Sequence, residues 1–116
     1  MSTHQVAVYG TLKQGHGNHR LLSLSKFLGI TETEEEWSML HLGGFPGLIE
    51  GSSAVHIEVY EVNDETFSRL DMLEGYPSFY NRREIETKFG TAWVYYLDSP
   101  YNYHDRPVIE HGCWGE

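Results

Sequence analysis

A change of hydrophobic period in the middle of the chain restricts the fold more than any other sequence feature. Over residues 54–62, apolar and polar side chains alternate, which is the pattern of a strand with one buried face. From residue 63 to about residue 73 the period lengthens, because Phe67, Leu70 and Leu73 recur every third residue, as on the buried side of a helix. The sequence therefore predicts a strand that runs directly into a helix.

Both ends of this helix carry recognisable signals. Asn63 or Asp64 can cap the first turn, because a short side-chain oxygen can accept a backbone N–H there. Gly75 follows the last apolar residue and Pro77 comes shortly after it, a combination that commonly ends a helix. We therefore expect the helix to stop at Gly75.

Most other regular segments are predicted to be strands that follow one another as hairpins. Their expected ranges are residues 5–9, 27–30, 37–42, 81–87 and 91–97. Gly90 can supply the turn between the last two strands. We also expect a short helix after Asn18, a solvated turn or edge strand at residues 32–36 and a loop at residues 43–47, from which Phe45 could fold inward over a pocket. This order favours an α+β fold built on a curved, mostly antiparallel sheet.

Length and charge narrow the classes of function. The 116 residues are predicted to form one domain, spanning 1–116, because a hydrophobic core needs roughly 50 to 200 residues around it. A net charge of −9 disfavours nucleic acids and anionic membranes as partners. No apolar run reaches the roughly 18 residues of a membrane helix, and the N-terminus lacks the features of a signal peptide, so a cytoplasmic location is expected. The oligomeric state is left open.

Histidine and cysteine residues give no sign of a metal site or of a nucleophile. The seven His residues are spread along the chain without the spacing of metal ligands. Cys113 is the lone cysteine, and its place beside Trp114 indicates a packing residue. The sequence therefore predicts no metal.

The first stretch with chemical content follows the first predicted strand and reads Tyr9-Gly10-Thr11-Leu12. A glycine at such a place allows successive backbone N–H groups to point into a concavity, and concavities of this kind bind anions. The alternative is that Gly10 only turns the chain. A nucleotide-phosphate loop is disfavoured, because His16-Gly17 replaces the Lys and the Ser or Thr that such a loop requires.

The second stretch places Glu74 at the end of the predicted helix. The partial negative charge of a helix C-terminus disfavours an ionised carboxylate and tends to raise its pKa. A raised pKa suits a general base that works near neutral pH. The alternative is an exposed acid that tolerates its position. Asp71 lies one turn earlier, but two carboxylates on one helix cannot readily flank a sugar bond, which weighs against glycoside chemistry.

Together these stretches resemble the γ-glutamylcyclotransferase-like family. The resemblance covers nearly the whole chain and rests on the Tyr-Gly-Thr-Leu loop followed by Leu70-Asp71-Met72-Leu73-Glu74-Gly75-Tyr76-Pro77. The stretch from Tyr9 to His19 looks more like the γ-glutamylamine cyclotransferase branch than the glutathione-degrading branch. The family implies a small β-barrel flanked by helices, with a pocket at one mouth of the barrel. It also implies a catalytic acid and base at Glu74 and a substrate loop formed by Tyr9, Gly10, Thr11 and Leu12.

The implied activity is cyclisation of a γ-glutamyl amine or amide to 5-oxoproline, with release of the free amine. The reaction needs a small-molecule substrate and no cofactor, because one carboxylate of raised pKa can remove a proton and later return it. Tyr80 is expected to line the substrate site, where we favour packing over a hydrogen bond to Glu74. Two alternatives stay open: a non-catalytic module of the same fold that binds small ligands, and an acyltransferase that passes the γ-glutamyl group to another acceptor.

Overall fold

The computed structural model describes residues 2–98, 103 and 105–115. The elements of these residues, in chain order, are β1 (Thr3–Val8), a 3₁₀ helix (His19–Leu22), β2 (Lys26–Glu32), β3 (Trp37–His41), β4 (Pro46–Glu50), β5 (His56–Asn63), α1 (Asp64–Glu74), β6 (Asn81–Thr87) and β7 (Gly90–Tyr96). Five strands form one sheet in the order β2-β5-β1-β7-β6, and β3 pairs with β4 in a second, two-stranded sheet. The pairing of β1 with β7 is parallel and the other pairings are antiparallel. The predicted α+β fold with a mostly antiparallel sheet is confirmed.

The central strand β1 has a hydrophobic core on each of its faces. Val6 and Val8 lie in the core that includes Leu70 of α1. Ala7 and Tyr9 lie in the opposite core, which the β3-β4 pair covers. Because both faces are buried, β1 is apolar at successive positions instead of alternating.

Helix α1 forms where the change of period predicts it. Asn63 caps the first turn, since its Oδ1 accepts a hydrogen bond from the N–H of Thr66 at 2.8 Å. At the other end, Gly75 adopts a left-handed conformation with φ of +67°. The N–H of Tyr76 then donates to Asp71 O at 2.9 Å, which satisfies a carbonyl of the last turn. The helix therefore ends immediately before Gly75.

The β-barrel expected from the family resemblance is wrong, because the sheet does not close. Its two edges are β2 and β6, and no backbone pairing joins them within the described residues. Instead, the ring of Phe89, in the turn before β7, packs on Gly29 of β2, where a Cβ would lie 2.4 Å from Phe89 Cζ. Strands are spaced about 4.8 Å apart, so this contact requires a strongly curved sheet. The turn before β7 therefore contacts β2 through a side chain and not through strand pairing.

The predicted loop over residues 43–47 ends too late. Pro46 begins β4, whose Gly47 lies opposite Leu40 of β3. A proline is tolerated at the first position of a strand, where its missing N–H is not needed by a ladder. Gly47 is required by packing, because a Cβ there would lie 2.7 Å from Leu97 Cδ1. Two residues that read as turn formers therefore start a strand.

Candidate active site

A cavity of about 360 Å³ lies where the end of β1, the end of α1 and the loop before β4 meet. It is lined by all six residues that the sequence predicted for the site, namely Glu74, Tyr9, Gly10, Thr11, Leu12 and Tyr80. Phe45 also lines it, as its place in the loop had suggested. Four further side chains that line the cavity were not assigned to the site from the sequence: Asn18, Leu73, Phe79 and Tyr95.

Glu74 is the only charged side chain among the described residues that line the cavity. Burial raises the pKa of its carboxyl group from 4.5 to about 7. The helix end is not the principal cause, because hydrogen bonds already cover the carbonyls there: Gly75 N donates to Met72 O at 3.2 Å and Tyr80 N to Glu74 O at 3.3 Å. The expectation of a raised pKa therefore holds for a different physical reason from the one the sequence suggested.

Two buried tyrosines hold the wall of the cavity near Glu74. The hydroxyl of Tyr9 donates to Tyr95 O at 2.8 Å, and that of Tyr80 donates to Pro46 O at 2.5 Å. Burial raises the pKa of Tyr80, and the carboxylate of Glu74 raises it further. The pKa of Tyr9 is raised by burial, then by Tyr80 and Glu74. Both phenols therefore stay protonated, and the Tyr80 hydroxyl donates to a backbone carbonyl and not to Glu74.

Gly10 is needed for space and not for an unusual dihedral angle. Its φ is not among the positive values of the described residues, but a Cβ would lie 2.8 Å from Pro46 Cγ and 2.9 Å from Pro46 Cδ. Such distances are too short for a side chain without movement of the proline ring. Gly10 thus allows the loop after β1 to approach the start of β4, which closes one side of the cavity.

The loop after β1 presents free backbone donors. Asn18 holds it twice, since Asn18 Nδ2 donates to Thr11 Oγ1 at 2.9 Å and Asn18 N donates to Thr11 O at 2.9 Å. Its side chain does not cap the short helix, contrary to the role expected from the sequence. Within the described part of the chain, the N–H groups of Gly10, Thr11 and Leu12 find no hydrogen-bond acceptor. The loop is therefore held in place by Asn18, and the three residues whose N–H groups are unpaired all line the cavity.

Tyr95 was missed because nothing in its local sequence separates it from other strand residues. It lies on β7, which pairs in parallel with β1, so a residue distant in sequence reaches the wall beside Tyr9. Only this long-range pairing could have identified it.

The described residues contain no group of three or more His, Cys, Asp or Glu side chains that could hold a metal ion. The same residues include no helix that is both long enough and apolar enough to span a membrane.

The fold and cavity define an α+β pocket protein in which one acid of raised pKa and a loop with unpaired backbone N–H groups line the same cavity. Residues 6–116 match the family model described as Gamma-glutamyl cyclotransferase, AIG2-like, and the chain belongs to this family. A Vibrio cholerae protein provisionally named a gamma-glutamylcyclotransferase is 46% identical over 111 residues, covering 96% of this chain and 95% of that protein.

Two solved structures show the same fold. An uncharacterised protein from Pyrococcus horikoshii has 32% identity and a TM-score of 0.81, covering 95% of this chain and 88% of that one. An AIG2-like protein from mouse has 26% identity and a TM-score of 0.81, covering 98% of this chain and 95% of that one.

Proposed function

We propose that this protein is a γ-glutamyl cyclotransferase that converts a γ-glutamyl amine to 5-oxoproline and the free amine. The observation that supports this most is the position of Glu74, a carboxyl group with a pKa of about 7 in the same cavity as the free N–H groups of the loop after β1. The names of relatives in its family point to the same chemistry.

In the proposed reaction, the α-amine of the substrate attacks its own side-chain carbonyl carbon. Glu74, ionised, accepts a proton from the attacking nitrogen, and the new N–C bond gives a tetrahedral intermediate. The bond from this carbon to the amide nitrogen then breaks while Glu74 returns the proton to the departing amine. No water is consumed, and the two products together contain all the atoms of the substrate.

The loop after β1 would stabilise negative charge in this reaction. Backbone N–H groups that need no reorganisation are effective donors to a developing oxyanion or to the substrate carboxylate. Those of Gly10, Thr11 and Leu12 have no acceptor within the described residues. The enclosed cavity would hold the substrate folded, so that its amine and carbonyl stay in near-attack geometry.

The lining of the cavity favours amines over peptides as the group that leaves. Glutathione and γ-glutamyl dipeptides carry a further carboxylate beyond the scissile bond, and burying it requires a cation or strong donors. The described lining includes no Lys, Arg or His. We therefore place the protein with cyclotransferases of γ-glutamyl amines, acting as a small-molecule enzyme without a cofactor.

The decisive test replaces Glu74 by glutamine. Glu74→Gln keeps the shape of the side chain but removes the base, so 5-oxoproline formation from γ-glutamyl amines should fall at least 100-fold. Mass spectrometry of 5-oxoproline measures this loss. Glu65→Gln is the matched control, because Glu65 is an exposed carboxylate on the same helix, away from the cavity. Full activity in Glu74→Gln would contradict the proposal.

The same assay distinguishes the two alternatives. Binding of γ-glutamyl amines without turnover, in the wild-type protein, would indicate a non-catalytic module. Consumption of substrate without 5-oxoproline, together with a new γ-glutamyl product, would indicate transfer to another acceptor.

A further inference from the structure

The mouth of the cavity is apolar and exposed. Phe45 and Phe79 are 38% and 41% exposed, and their rings meet edge to face at 6.1 Å between centroids. Leu73, which immediately precedes Glu74, is also 41% exposed. All three line the same cavity as Glu74, and we call them the apolar rim. Side chains of this kind gain free energy when a ligand covers them.

The buried end of the cavity has a different character. Tyr9 and Tyr80 are 6% and 5% exposed, and the free N–H groups of the loop from Gly10 to Leu12 lie on the same cavity. Polar recognition of a γ-glutamyl group therefore belongs at the base of the cavity. The substituent on the amide nitrogen must then extend past Glu74 toward the apolar rim.

Charge limits what this substituent can be. The described lining offers no cation, and its only charged group is Glu74. A carboxylate at the rim would meet like charge and lose water without a partner, whereas an alkyl or aryl group would lose only apolar hydration. A cavity of about 360 Å³ is near the lower limit for small-molecule sites, which suits a γ-glutamyl group bearing one short substituent.

We infer that the apolar rim is a subsite for the leaving amine and that the preferred substrates are γ-glutamyl amides of uncharged alkyl or arylalkyl amines. This inference rests on the proposed cyclotransferase activity. It makes Phe45, Leu73 and Phe79 the residues that set specificity, while Glu74 and the loop after β1 act on the γ-glutamyl group.

A homologous series of substrates tests the subsite. The γ-glutamyl amides of methylamine, propylamine and pentylamine differ only in the length of an apolar chain. A fully buried methylene is worth about fourfold in binding, so, with the rim partly exposed, kcat/KM should rise at least tenfold from methyl to pentyl. ε-(γ-Glutamyl)-lysine is the matched charged substrate. Its leaving amine is lysine, which has the same four methylenes as pentylamine but ends in a carbon that bears an ammonium and a carboxylate, where pentylamine ends in a methyl group. The lysine conjugate should react at least tenfold less efficiently than the pentyl amide.

Variants of the rim residues test whether the rise of kcat/KM with chain length arises at the apolar rim. Phe79→Ala and Phe45→Ala should each reduce the ratio of pentyl to methyl kcat/KM several-fold, and a ratio is insensitive to a general loss of activity. Phe27→Ala is the matched control, because Phe27 is also 41% exposed but lies on β2 and does not line the cavity. It should leave the ratio unchanged.

Each outcome of these assays either supports or overturns the inferred subsite. A rising series that flattens in the two rim variants supports the subsite. A flat series, a preference for the lysine conjugate, or equal ratios in the rim and control variants would overturn it while leaving the cyclotransferase activity intact. Absence of 5-oxoproline from every amide, the methyl amide included, would instead overturn the proposed activity and the subsite with it.

Discussion

At the scale of single residues, the proposed chemistry depends mainly on one carboxyl group. Glu74 reaches the cavity because α1 ends on it, and burial there raises its pKa to about 7. The same burial makes its charge unfavourable for the folded state. A group suited to act as a base near neutral pH is therefore also a group that opposes folding once it is ionised.

This coupling predicts how stability depends on pH. In the unfolded chain Glu74 has a pKa near 4.5 and in the folded chain near 7, so the folded state binds more protons between these values. The stability contribution of protonated Glu74 is complete below about pH 4.5 and is lost as pH rises through 7. The unfolding free energy of Glu74→Gln minus that of the wild type should rise by about 2 kcal/mol from pH 5 to pH 8. Urea unfolding at both pH values measures this difference, and an equal difference at both would contradict the assigned burial.

At the scale of elements, helix α1 carries two carboxylates one turn apart with separate roles. Asp71 Oδ1 accepts the hydroxyl of Tyr95 at 2.6 Å, and Asp71 Oδ2 lies 3.5 Å from Arg82 Nη1. The guanidinium of Arg82 also stacks on the rings of Phe67 and Tyr76, each at 4.3 Å from the centroid. Asp71 thus joins α1 to β6 and β7, which explains structurally why the pair is unsuited to glycoside chemistry.

Two substitutions of Asp71 should separate the contribution of its charge beside Arg82 from that of its hydrogen bond with Tyr95. Asp71→Asn keeps an acceptor for Tyr95 but loses the charge beside Arg82, and we expect a loss of about 1 kcal/mol. Asp71→Ala loses the same charge and also leaves the hydroxyl of Tyr95, a residue only 3% exposed, without its acceptor, for a total loss of about 3 kcal/mol. Chemical denaturation of the two variants side by side measures both values. If Asp71→Ala lost no more unfolding free energy than Asp71→Asn, the hydrogen bond to Tyr95 would have no role in stability.

At the scale of the whole molecule, residues 109–114, which we call the C-terminal segment, form hydrogen bonds to both sheets. Ile109 N donates to Met39 O at 2.8 Å on β3, and His56 N, at the start of β5, donates to Gly112 O at 2.8 Å. Lys13, only 8% exposed, donates from Nζ to Trp114 O at 2.8 Å. The segment that follows the loop after β1 is thus anchored at Trp114.

Lys13→Met should loosen the C-terminal segment without emptying the space that the lysine stem fills. Loss of a charge-assisted hydrogen bond should raise local opening about tenfold. Hydrogen exchange of the Ile109 amide reports this directly. Lys26→Met, at an exposed position on β2, is the control and should leave that amide protected. Equal exchange in both variants would show that Lys13 does not hold the segment.

The local sequence determined the elements that depend on near neighbours. The alternation over residues 54–62, the cap at Asn63, the stop at Gly75 and the hairpin at Gly90 each follow from contacts within a few residues. The family motifs likewise identified six residues that line one cavity. Side-chain periodicity and backbone dihedral preferences are local properties, so the sequence expresses them directly.

Only the tertiary structure decided what depends on distant partners. The parallel pairing of β1 with β7 brings Tyr95 to the cavity, and the ring of Phe89 on Gly29 accompanies the open sheet found in place of a barrel. Burial raises the pKa of Glu74, and the cavity that it lines is formed in part by residues far from it in the chain, such as Tyr9 and Phe45. Strand closure and desolvation are set by which surfaces meet in space, and no short stretch of sequence contains that information.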